Sequence, residues 1–83
     1  KVIFKEMALL KVVAPKNKID KCLKACNKFN PVIIDKTKKS VVIQITALRR
    51  EIDKMNSKLK PLGLISTSRT GAIAMTRGAE VFN

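Results

Sequence analysis

Apolar positions change spacing several times along this chain, and each change marks an element. Residues 6–14 are dense in Leu and Val and close at Pro15, which predicts a first strand. Ile19, Cys22, Leu23 and Cys26 then fall at helical spacing, with Lys21, Lys24 and Lys28 on the opposite face. Asn17 is the expected cap of this helix, with Asp20 three residues on, and Asn27, Asn30 and Pro31 stop it. Residues 32–37 and 40–46 are rich in β-branched side chains and are joined through Lys38-Lys39, the pattern of an antiparallel hairpin. In the second of these strands Val41, Ile43 and Ile45 share one face, and Val42 and Gln44 the other. Leu48, Ile52, Met55 and Leu59 form the stripe of a second helix that Pro61 ends. Residues 62–69 read as a fourth strand, broken by Thr70-Gly71. Residues 72–75 fit either an extended segment or a short turn.

The order strand, helix, strand, strand, helix, strand predicts an α+β fold. With right-handed crossovers it closes as a ferredoxin-like βαββαβ sandwich, a four-stranded antiparallel sheet with two helices on one face. Ile19, Leu23, Ile52, Met55 and Leu59 are the expected core contribution of the helices. The strands, however, are apolar on both sides. Met7, Leu9 and Val13 alternate with Ala8, Leu10 and Val12, and Val32 and Ile34 with Ile33. A sheet covered on one side shows cleaner alternation, so the second face is expected to meet another copy or another subunit.

Length and charge narrow the functional classes. The 83 residues allow one small core, assigned to residues 6–78, with 1–5 as a linker and 79–83 as a frayed tail. The chain opens on Lys1, as a segment of a longer protein would, and carries no secretory signal or membrane-length apolar run, so a cytoplasmic protein is expected. Eighteen Lys and Arg against 6 Asp and Glu give a formal charge of +12, compatible with nucleic acid, an acidic protein surface or a solvated lysine face. An RNA-binding module of RRM type is the alternative from another class. It needs aromatic platforms on its central strands, here expected at 6–14 and 62–69, and Phe4, Phe29 and Phe82 lie outside both. Cys22 and Cys26, with no histidine in the chain, read as buried thiols, and no metal or catalytic set is expected. Asp20, Asp35, Glu51, Asp53 and Glu80 form no recognisable acid–base pair.

Three segments carry a resemblance. These are Glu6-Met7-Ala8-Leu9-Leu10-Lys11-Val12, Phe29-Asn30-Pro31-Val32-Ile33-Ile34-Asp35 and Arg69-Thr70-Gly71-Ala72-Ile73-Ala74-Met75-Thr76-Arg77-Gly78. Together they resemble the C-terminal domain of the small, regulatory subunit of acetolactate synthase. Pro31 stands where that family often has glycine, and the lysine content is heavier than is usual there. The resemblance implies a non-catalytic regulatory domain of branched-chain amino-acid synthesis. It also implies activation and feedback inhibition of a catalytic large subunit, which would hold thiamine diphosphate, Mg and FAD, with no cofactor here. A preceding ACT-type domain would bind the amino-acid effector, commonly valine, and a homodimer is expected. Arg69, Thr70, Gly71, Arg77 and Gly78 are then either partner contacts or the structural elements of a turn.

Overall fold

The computed structural model describes residues 2–70 and 73–76. In chain order they form β1 (Val2–Val13), α1 (Lys16–Cys26), β2 (Val32–Lys36), β3 (Ser40–Ala47), α2 (Arg49–Leu59), β4 (Leu64–Arg69) and β5 (Ile73–Thr76). Single 3₁₀ turns, Asn27–Phe29 and Lys60–Leu62, follow the two helices. The strands pair antiparallel in the order β2-β3-β1-β4, with both helices on one face, as the ferredoxin-like reading requires.

The alternating pattern sorts the two faces as expected. Ala8, Leu10 and Val12 of β1 and Val41, Ile43, Ile45 and Ala47 of β3 are buried. They meet Ile19, Cys22 and Cys26 from α1 and Ile52, Met55 and Leu59 from α2. Leu23 departs from expectation. It packs at the margin of this core and is only partly buried, because Cys22 and Cys26 hold the centre of the α1 stripe.

Helix ends differ in detail from the sequence reading. Asn17 does not cap α1. Pro15 takes the N-cap position with φ −62, and its carbonyl accepts from the amides of Lys18 and Ile19. In α2 the amide of Leu48 donates to Glu51 Oε1 at 3.0 Å, which satisfies one donor at the helix start. Beyond α2, Gly63 takes φ 109, and its carbonyl accepts from Val13 N at 2.9 Å. A Cβ there would lie 2.5 Å from Val13 O, so only glycine lets the chain pass so close to the end of β1.

Three further differences lie in the strands. β1 begins at Val2, so residues 2–5 are strand and not linker. They pair with β5 through Val2↔Thr76, Ile3↔Met75, Phe4↔Ala74 and Lys5↔Ile73. Residues 73–76 are therefore extended, resolving the ambiguity in the sequence pattern, whereas the tail at 79–83 lies outside the described residues. The central strands are β1 and β3, because β4 lies at an edge beside β1. Phe4 thus belongs to a central strand, but to the portion that pairs with β5 beyond the four-stranded region. Twelve residues at about 3.3 Å each span about 40 Å. β1 therefore runs nearly the whole 41 Å long axis of the molecule.

Candidate functional site

Arg69 ends β4 on the helix-covered side of the sheet, because it pairs with Ala8, whose side chain points into the core. Two residues back along β1, Glu6 points to the same side, and the first turns of α2 lie above both. The guanidinium of Arg69 bridges all three elements. Nε donates to Glu6 Oε1 at 3.0 Å, Nη1 to Asp53 Oδ1 at 2.7 Å, and Nη2 to the carbonyl of Arg49 at 3.1 Å. Its pKa is raised further above an already high value, first by the hydrogen bond to Asp53. Arg49 Nε approaches the second oxygen of Glu6 at 3.7 Å. This set contains two carboxylates and two guanidiniums, so it is an internal clamp with balanced charge.

Thr70 extends the same joint. Its amide donates to Met7 O at 3.0 Å, while its hydroxyl accepts from Met7 N and donates to Met7 O, each at 3.2 Å. The register along β1 then shifts by one residue, from Ala8↔Arg69 to Lys5↔Ile73. Arg69 and Thr70 thus hold the point where pairing passes from β4 to β5. Gly71, Arg77 and Gly78, the other members of the closing motif, lie outside the described residues.

Sequence reasoning missed Glu6 and Asp53 as partners of Arg69, which stand 63 and 16 residues away. Local periodicity carries no signal for such a pairing. The register of β1 against β4 does.

The open face of the sheet carries Met7, Leu9, Lys11 and Val13 from β1, Val42, Gln44 and Thr46 from β3, and Val32 from β2. Leu9 is 39% and Val32 51% exposed. An aliphatic and amide surface of this kind offers no ring for base stacking on the four-stranded region. Cys22 and Cys26 are free and buried. Burial pushes both thiols up, that of Cys26 to about 11, with Cys22 adding to the rise and Lys58 opposing it. Among the described residues no three His, Cys, Asp or Glu gather as metal ligands, and no helix is long and apolar enough to cross a membrane.

The family described as the small subunit of acetolactate synthase matches residues 5–78 of this chain. The chain belongs to that family. An acetolactate synthase small subunit from Bacillus subtilis (strain 168) is 29% identical over 79 residues, covering 95% of this chain and 46% of the relative. One from Aquifex aeolicus (strain VF5) is 32% identical over 78 residues, covering 93% of this chain and 41% of the relative. The crystal structure of the small subunit from Thermotoga maritima superposes with a TM-score of 0.76 at 28% identity, over 95% of this chain and 48% of that one. The chain thus spans about half the length of these small subunits.

Proposed function

We propose that this domain is the C-terminal part of an acetolactate synthase regulatory subunit and acts by binding. Its fold is that of the family's small subunit, and its open sheet face is what carries a binding role. Leu9 and Val32 on that face are exposed in a domain whose opposite face is closed by two helices. In this reading two copies meet across the open face, each withdrawing its aliphatic side chains from water. An ACT-type domain preceding β1 takes the amino-acid effector, commonly valine. The thiamine-diphosphate-dependent, Mg- and FAD-containing chemistry belongs to the catalytic subunit, and the assembly works in the cytoplasm. Feedback then is a coupling free energy, with the effector favouring one arrangement of the assembly. Arg69 and Thr70 serve by fixing where β4 passes to β5. Gly71, Arg77 and Gly78 are, in this reading, contacts to the partner subunit.

The test uses the full-length gene product. Added to the catalytic subunit it should raise acetolactate formation and confer valine inhibition, and deleting residues 6–78 should weaken that inhibition. Full activation and full feedback from the deleted form would refute the reading. Light scattering over a dilution series checks the homodimer. A monomer at every concentration would reassign the open face to the catalytic subunit or the preceding domain.

A further inference from the structure

The helix layer has a chemistry of its own, set apart from both the sheet face and the Arg69 clamp. Between α1 and α2 run two adjoining cavities of about 250 and 400 Å³, and Lys58 lines both. Their floor is apolar, made by Phe29 and Met55 in one and by Ala25 and Leu62 in the other. Their rims are lysine: Lys21, Lys24 and Lys28 from the α1 side, Lys54 and Lys58 from α2.

Two carboxylates of α2 are already engaged. Glu51, the one acid lining this groove, accepts from the Leu48 amide, and Asp53 accepts from Arg69. The ion pairs among the described residues all belong to Arg49 and Arg69, and none involves a rim lysine. Lys28 lies 5.1 Å from the centroid of the Phe29 ring. Five lysines against the single carboxylate of Glu51 therefore flank the apolar floor and leave the groove basic.

We infer that this groove docks an acidic, amphipathic segment of the catalytic subunit, which rests on the regulatory reading above. The segment's apolar side chains enter over Met55 and Ala25, and its carboxylates meet the two lysine rims. Apolar burial gives such a contact a floor, and the charge selects for an acidic partner and speeds its encounter. A polyanion such as RNA would use the lysines but not the floor, and a protein segment uses both.

Binding of the full-length regulatory subunit to immobilised catalytic subunit tests this across a salt series. The groove variant is Lys54→Glu/Lys58→Glu. The control, Lys38→Glu/Lys39→Glu, makes the same change in net charge in the β2–β3 turn. Circular dichroism melts establish that each is folded, and Lys54→Gln/Lys58→Gln gives a milder step on the same path. The groove variant should bind at least about tenfold more weakly, the Gln variant should fall between it and the parent, and the control should stay within about twofold of the parent. The parent's affinity should also fall with salt more steeply than the groove variant's. If parent and groove variant bind alike, or if groove and control variants weaken equally, the groove is not the docking site. Groove reversal that abolishes binding of a single-stranded RNA oligonucleotide while sparing the catalytic subunit would overturn it in favour of nucleic acid. A parent that does not bind the catalytic subunit at all would instead refute the regulatory reading itself.

Discussion

Replacing Arg69 by alanine removes three hydrogen bonds at once, and their settings differ enough to apportion the cost. Asp53 is 59% exposed, so its pair with Arg69 belongs among solvated ion pairs, worth about 0–1 kcal/mol. Glu6 is only 14% exposed, and a hydrogen bond between charged groups so placed contributes about 1.5–3 kcal/mol. That figure is reduced because Arg49 Nε remains 3.7 Å from the other oxygen of Glu6 and can move in. The Arg49 carbonyl, at the start of α2, can be taken over by water. The expected loss for Arg69→Ala is therefore about 2 kcal/mol, with Glu6 as the dominant partner. For a domain of this size that lowers the melting temperature by about 8–16 °C. Urea unfolding of Arg69→Ala, Glu6→Gln, Asp53→Asn and the two double variants measures each coupling separately. The Arg69–Glu6 coupling should exceed the Arg69–Asp53 coupling, and only the latter should fade in 1 M salt, where screening acts within about 3 Å. An Arg69→Ala variant within about 0.5 kcal/mol of the parent, or a larger coupling to Asp53, would refute the clamp.

Other substitutions probe the core and its turns. Ile52→Ala should cost about 2–5 kcal/mol by thermal or chemical melt, and Leu23→Ala, at the core margin, about 1–2 kcal/mol. Equal losses would mean that α1 is rotated about its axis from the orientation described. Gly63→Ala should cost at least about 2 kcal/mol, combining a left-handed backbone with a 2.5 Å approach to Val13 O, and a neutral result would show the turn can be rebuilt. Cys26 titrates near 9.0 when unfolded and about 11 when folded, so the unfolded chain loses its proton first. Its contribution is complete below pH 9.0 and falls as pH rises toward 11. The stability gap between the parent and Cys26→Ala should narrow over that window. A gap that is constant with pH would place the thiol in water.

The alternation of Val41, Ile43 and Ile45 with Val42 and Gln44 was legible in the sequence and is what β3 shows. So were the stripes of both helices and the order of elements, hence the ferredoxin-like sandwich. These features are local: a strand or helix buries one face, and the period of its apolar residues records which. The apolar second face of β1 was legible for the same reason. The sequence by itself thereby determined that the helices close one side of the sheet and leave a second apolar side that they do not cover. It did not determine what meets along the strand edges. The pairing of Val2–Lys5 with Ile73–Thr76 joins the two ends of the chain, and nothing in either segment's period names the other. The placement of β4 at an edge likewise follows from which strand β1 accepts on its second side. Arg69 and Glu6 show the limit most directly. Each is one charged residue in its own strand, and only the register of β4 against β1 puts them on the same side of the sheet, 3.0 Å apart. The lysine groove arises in the same way, since α1 and α2 each present a solvated basic face. Packing the helices side by side on the sheet is what turns those two faces into one trough with an apolar floor.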